Sequence, residues 1–430
     1  MIPASPGDAD AVRDPTGYLG GRARAWAMLA LLFLLMAFDF IDRQVLSALL
    51  PLIKPEWGLS DAELGLLIAA VNIAIAVLGL PVGFVMDRWS RTKAIGIMAV
   101  VWSAATGACA FAGSYAHLLA ARFFVGAGEA GYSSGGNALL ATIFPERLRA
   151  TVIGIFLSAA ALGSIVGVVA GGVIGAHWGW RHAFGIVAIP GLLLALLVFF
   201  TRDYATARVD APGPGAWQAI AQFARSVLGV PALWLLFAAQ GVQQFFVGAM
   251  VNWLPSYFNR FYGLDLQQAG ARTGILILAT AAGLALSGYV ADRLFGIAPR
   301  RRILASAVYA LLCGLFNVAA FSLGAGPSQY GLLLCGSLFA SAVVAPAMSA
   351  VTDLVHLGMR ATSLAALNVS SNLIGYALGP LVGGVLSDHF NLQAALQLVA
   401  FFPIIGSFIA LAAARAVRPR PAADPGALHA

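Results

Sequence analysis

Apolar runs long enough to cross a bilayer recur along the whole chain, and they leave few folds open. A helix needs about 20 apolar residues to traverse the hydrocarbon. Twelve stretches satisfy this: 26–50, 62–86, 94–113, 115–141, 149–174, 181–201, 229–254, 270–291, 302–323, 329–351, 361–387 and 393–416. Only 10% of the 430 residues are charged, against about 25% in a soluble domain. So few charges cannot coat a soluble core of this size, which excludes a soluble enzyme, a disordered chain and a disulfide scaffold. A membrane β-barrel would read as alternating segments of about ten residues. The runs here are longer and carry many of the 48 glycines. The expected fold class is an all-α integral membrane protein with 12 transmembrane helices.

Lysine and arginine placement sets the orientation. With the N-terminus inside, nineteen basic residues fall on the inner side and four on the outer: Lys54, Arg181, Arg260 and Arg272. Arg43 and Arg122 stay within spans. Both termini are therefore expected in the cytoplasm, in a multi-pass cell membrane protein. The first 25 residues hold Asp8, Asp10 and Asp14 and lack an apolar core, unlike a signal peptide. The net charge of +7 is spread over short loops rather than one face, so no nucleic-acid partner is indicated.

The expected organisation is a tail over 1–25, a six-helix bundle over 26–201, a linker over 202–228, a second six-helix bundle over 229–416 and a tail over 417–430. The linker contains Ala211-Pro212-Gly213-Pro214-Gly215. Trp217, Ile220, Phe223 and Val227 then follow at near-helical spacing, as in a helix lying on the membrane surface. A disordered linker fits as well.

The halves echo each other. Gly83, Asp87, Arg88 and Arg91 follow the second span; Gly288, Asp292 and Arg293 follow the eighth. Gly163, Gly167, Gly171 and Gly172 in the fifth span answer Gly375, Gly379, Pro380, Gly383 and Gly384 in the eleventh. Glycine at such steps lets helix backbones approach closely. A parallel repeat is a transporter signature.

The segment from Gly83 to Lys93 resembles the loop motif of the major facilitator superfamily, with Ser90 where Gly is usual and Thr92 where a basic residue is common. Asp42-Arg43 in span one, and Arg122-Phe123-Phe124-Val125-Gly126-Ala127-Gly128-Glu129-Ala130 in span four, resemble the Spinster branch. The resemblance covers 26–416. It implies two six-helix halves, alternating access and a sphingolipid- or lysophospholipid-like substrate.

Five charged residues lie deep in spans: Asp39, Asp42, Arg43, Arg122 and Glu129. Each costs roughly 2.5–3.5 kcal/mol at a helix centre by insertion scales, so they should be paired and face an interior. Asp39 and Arg43 are i,i+4 partners. Arg122 and Glu129, seven apart, share a helix face. Spans one and four should bring Asp42, Arg43 and Arg122 to similar depth. Proton coupling is expected, with Glu129 the first acceptor and Asp42 the second. The arginines, which keep their protons, would switch partners or hold an anionic head.

Asn72, Tyr132, Ser133, Gln243, Asn368 and Tyr376 are candidate cavity-lining residues, and Asp353 joins Asp292 as a candidate inner-gate residue. No nucleophile elbow or Walker sequence occurs, so neither an enzyme nor an ATP-driven pump is expected. No cofactor and no metal site is expected; protons are the coupling ion. The expected function is proton-coupled export of a lipid or amphiphile by a monomer in the bacterial inner membrane. The alternatives are carriage or efflux of a small organic anion or drug, and a non-transporting receptor.

Overall fold

The computed structural model describes residues 17–88, 90–201, 230–355 and 360–417, with side chains at 80, 83–88, 150, 361, 362 and 365 outside the described set. The linker 202–228 and the side chains of Asp87 and Arg88 therefore lie outside the described residues, as does the residue at 356.

Among the described residues the chain is helical throughout. The N-terminal half comprises α1 (Arg22–Trp57), α2 (Asp61–Arg88), α3 (Arg91–Ala110), α4 (Tyr115–Glu129), α5 (Tyr132–Ile143), α6 (Glu146–Trp178) and α7 (Trp180–Phe199). The C-terminal half comprises α8 (Pro231–Tyr262), α9 (Leu266–Leu294), α10 (Pro299–Phe321), α11 (Pro327–Ala340), α12 (Val344–Leu354), α13 (Arg360–Ser370), a π-helical turn at Ser371–Ala377, α14 (Leu378–His389), α15 (Leu392–Val399) and α16 (Phe402–Ala416). Among the described residues, eleven of the spans are long and apolar enough to cross a membrane. The fourth is split between α4 and α5 and forms the twelfth.

That split departs from the continuous helix expected over 115–141. It falls at Ala130–Gly131, directly after Glu129. The tenth and eleventh spans are also interrupted, at 341–343 and by the π-helical turn. Irregular backbone at membrane depth is tolerated where protein or a wet cavity surrounds it. The seventh span runs further than expected, passing through Pro255 to Tyr262 and so taking in Arg260.

Glycine governs the closest approaches. A Cβ at Gly167 would stand 2.6 Å from the Ile41 carbonyl oxygen, one at Gly163 would overlap the Ala37 carbonyl, and one at Gly171 would stand 3.1 Å from Val45, so α6 lies flush along α1. Between the halves, a Cβ at Gly270 would stand 2.6 Å from the Val168 carbonyl oxygen and one at Gly65 2.6 Å from that of Pro380. These contacts seat α6 on α9 and α2 on α14. The small residues of spans five and eleven thus pack both within and between the halves.

Hydrogen bonds join the halves on the side opposite the termini. Asp61, at the start of α2, accepts from Arg260 Nη1 at 2.6 Å and Nη2 at 2.7 Å. It also accepts from Lys54 at 2.6 Å and Ser387 at 2.5 Å. Asp388 returns the contact by accepting from the Asp61 and Ala62 amides at 2.8 Å, the free N–H groups of a helix start. Deeper, Ser47 donates to Asn252 at 2.5 Å and Asn72 to the Tyr376 carbonyl at 3.2 Å. The start of α2 is also a capping box. Indeed the Ser60 amide meets Glu63 at 2.8 Å and the Glu63 amide meets Ser60 Oγ at 3.1 Å. Asp61, inside that box, thus joins the halves as well.

On the side of the termini, Arg302 draws together two carboxylates of the C-terminal half. It meets Asp292 at 3.0 Å and Asp353 at 2.8 Å.

Candidate functional site

Spans one, three and four converge on the buried charges. Two close approaches fix the end of α4. A Cβ at Gly128 would stand 2.6 Å from the Trp102 amide nitrogen on α3, and one at Gly126 would overlap the Val71 carbonyl on α2. Any larger side chain there would push α4 away and carry Glu129 with it. The helix ends one residue later, so Glu129 leaves α4 at a fixed place.

The five charges form two pairs sharing one neighbourhood. Arg43 Nε donates to Asp39 Oδ1 at 2.8 Å along α1, the i,i+4 pair expected from the sequence. The same guanidinium reaches across to Glu129, with Nη2 2.8 Å from Oε2. That contact is an ion pair without hydrogen-bond alignment, and both Glu129 carboxylate oxygens lack a hydrogen-bond partner. Arg122 Nη1 donates to Asp42 Oδ2 at 3.2 Å. Both members of this second pair are buried, at 1% exposure each. Asp42 Oδ1 and Arg122 Nε have no partner.

Three carboxylates against two guanidiniums leave the cluster one negative charge in excess when all are ionised. The consequences of neutralising each carboxylate differ. Protonating Glu129 leaves Arg43 still paired with Asp39. Protonating Asp42 strips Arg122 of its only carboxylate partner among the described residues, and an unpaired buried guanidinium is costly.

The other sequence candidates divide. Tyr132 does not line an open cavity. It is fully buried between Trp102 and Phe156, and its hydroxyl donates to the Leu32 carbonyl at 2.6 Å. Gln243 is likewise core, donating to the Ala340 carbonyl at 2.8 Å with 0% exposure. A buried amide N–H or phenol O–H can donate to the nearest backbone carbonyl, which sequence spacing cannot distinguish from a cavity-facing one. Ser133 and Asn368 are exposed, and Tyr376 accepts from Gln244 Nε2 at 2.8 Å. The side-chain oxygens of Gln240, Gln243 and Gln244 are buried without partners.

The model of the major facilitator superfamily matches residues 32–375. The chain belongs to the major facilitator superfamily. Its similarity to individual members is spread over most of its length. It is 28% identical over 300 residues to a hexuronate transporter of Bacillus subtilis, covering 68% of this chain and 70% of that one. It is 28% identical over 437 residues to a gallate transporter of Pseudomonas putida, covering 92% and 91%. The solved structure of a bacterial homologue of the human lysosomal transporter Spinster, inward-facing and unoccupied, superposes with a TM-score of 0.82 at 23% identity, over 92% of this chain and 98% of that one. The fold is therefore shared with that structure.

In this superfamily chain the two copies of the loop motif are described unequally. Gly83, Asp87 and Arg88 have side chains outside the described residues, while Arg91 begins α3. In the second copy, Gly288 lies in α9, Asp292 binds Arg302, and Arg293 donates to the Tyr289 hydroxyl at 3.2 Å. Asp353 is tied to Asp292 through Arg302, and Arg360 donates to the Thr352 carbonyl at 3.1 Å. The linking role of Arg302 was hidden in a run of three arginines. Among the described residues no three His, Cys, Asp or Glu side chains are grouped as metal ligands would be.

Proposed function

We propose that this superfamily transporter carries an organic anion together with a proton, and that Glu129 takes the proton. The observation that carries this reading is the pairing of Arg43 with both Asp39 and Glu129. With Glu129 ionised, Arg43 is fully engaged and the cluster repels an anion. With Glu129 neutral, Arg43 keeps Asp39 and frees one edge of its planar fork. A carboxylate or phosphate can then occupy that edge with matched geometry. Proton and anion thus favour the same state, as symport requires. A ligand can shift a conformational equilibrium only through different affinity for the two states. The arrangement supplies that difference.

The hexuronate and gallate named for the two relatives are both carboxylates, which supports a small organic acid as the substrate. A lipid or lysophospholipid exporter is the second reading. It is supported by the apolar C-terminal half of the bundle, where Val369, Leu373 and Ile374 are exposed on the interrupted eleventh span. Glu129 would still carry the proton, and Arg43 would hold the anionic headgroup.

Thermal unfolding of the purified protein against a panel of hexuronate, aromatic carboxylates and lysophospholipids separates the two. Stabilisation by ligand scales with occupancy. A shift with carboxylates alone supports the small-acid reading, a shift with lysophospholipids alone supports the lipid reading, and no shift with any anion removes both.

A further inference from the structure

Outside the charged cluster, α3 and α7 enclose a groove of about 650 Å³. Its walls are Ser103, Gly107 and Phe111 on one side and Gly185, Ala188 and Ile189 on the other. That volume lies within the roughly 300–1,000 Å³ of ligand pockets. The glycines here differ from those that seat helices together. A Cβ at Gly107 would meet only Ala188 at 3.7 Å, and one at Gly185 only Ala110 at 3.9 Å. Packing does not require glycine at either place; its effect is to leave space. Phe111 and Ile189 are 89% and 62% exposed, so the groove opens sideways toward lipid.

Its two ends carry polar groups. At the mouth, Arg181 stacks over Trp180 at 4.1 Å, is steadied by Glu56 at 2.7 Å and donates to the Ala112 carbonyl at 3.2 Å. His182 beside it is exposed. Trp57 packs on Trp180, and Trp178 is 59% exposed, which places the mouth in an aromatic belt at headgroup depth. At the deep end, Ser103 is 2% exposed and its hydroxyl has no partner. Gly191, which Ser103 faces, lies nine residues beyond His182, or about 14 Å deeper at 1.5 Å per residue. Half of a hydrocarbon core of about 30 Å is nearly that depth.

We propose that this groove binds a glycerophospholipid of the leaflet opposite the termini, with one acyl chain between α3 and α7 and the phosphate at Arg181 and His182. The basis is a groove one leaflet long, emptied by two glycines and headed by a cation fixed at headgroup depth. The site is independent of the transport reading above.

Native mass spectrometry of the full chain tests this, using micelles doped with palmitoyl-oleoyl-phosphatidylglycerol or with dioleoylglycerol. The wild type should retain one phosphatidylglycerol and no diacylglycerol. Gly185→Phe, which fills the groove where Cβ has room, should lower retention about tenfold, equivalent to about 1.4 kcal/mol. Gly107→Leu serves the same purpose if Gly185→Phe does not fold. His182→Ala should narrow the preference for the phosphate-bearing lipid. Undiminished retention in a folded groove-filling variant, or equal retention of diacylglycerol, would overturn the assignment.

Discussion

Arg43 on the first span stands 2.8 Å from Glu129 on the fourth, and no hydrogen-bond donor meets either oxygen of that carboxylate. Glu129 therefore depends on a single cation that a second carboxylate, Asp39, already holds. The Asp42–Arg122 pair is the opposite case, mutually dependent and sealed from solvent. One pair is built to let go and the other to stay.

Asp42→Asn should destabilise the protein strongly. Breaking a buried pair from one side costs about 3–5 kcal/mol, and Arg122 would be left without its carboxylate. Arg122→Gln should cost a similar amount, while the double variant should cost clearly less than the two together. Chemical unfolding of the four proteins measures the coupling. Additive losses would mean that the pair is not energetically linked.

Asp61 should hold the halves together on the side opposite the termini. Asp61→Asn weakens its bonds to Arg260 and Lys54, which are charge-assisted and so among the stronger kinds. The alternating states should shift toward opening on that side. A cysteine placed at Ser47, in a background with the exposed Cys335 replaced, should react faster with a membrane-impermeant thiol reagent in Asp61→Asn. Equal labelling rates would show that other contacts keep the closure.

Tyr132→Phe should leave proton dependence intact. The hydroxyl serves the Leu32 carbonyl inside the N-terminal core, so its loss should lower stability by about 0.5–1.5 kcal/mol, the net worth of a typical hydrogen bond. Unfolding and flux measured on the same preparation check both parts.

Much of the fold was legible because lipid imposes strict terms. A span must be apolar for about 20 residues, so helix number and order follow from the sequence, and charges inside spans stand out. The i,i+4 pair of Asp39 and Arg43 was readable for the same reason. What stayed hidden depended on neighbours distant in sequence. Nothing beside Asp61 in the sequence marks a role between the halves, and only the fold brings Arg260 and Ser387 to it. Tyr132 and Gln243 read as polar residues in helices, and only the fold supplies the Leu32 and Ala340 carbonyls to which they donate. The break after Glu129 has a local trace in Gly128 and Gly131, yet the same residue also marks tight packing elsewhere in the chain.

Topology follows from the basic residues and is separately testable. Fusing a fluorescent protein to the C-terminus should give a bright product, and alkaline phosphatase fused at the same place should be inactive, because both termini are expected in the cytoplasm. An active phosphatase fusion would invert the assigned orientation and with it the sidedness of the Asp61 closure.

The most direct measurement is uptake of a labelled carboxylate that binds the protein, in proteoliposomes carrying an imposed inward proton gradient, for the wild type and Glu129→Gln. The wild type should concentrate the anion as the gradient grows. Glu129→Gln should still exchange the anion across the membrane while losing at least about tenfold of the gradient-driven accumulation, about 1.4 kcal/mol of driving free energy. Undiminished accumulation by Glu129→Gln would contradict a proton-carrying role for Glu129.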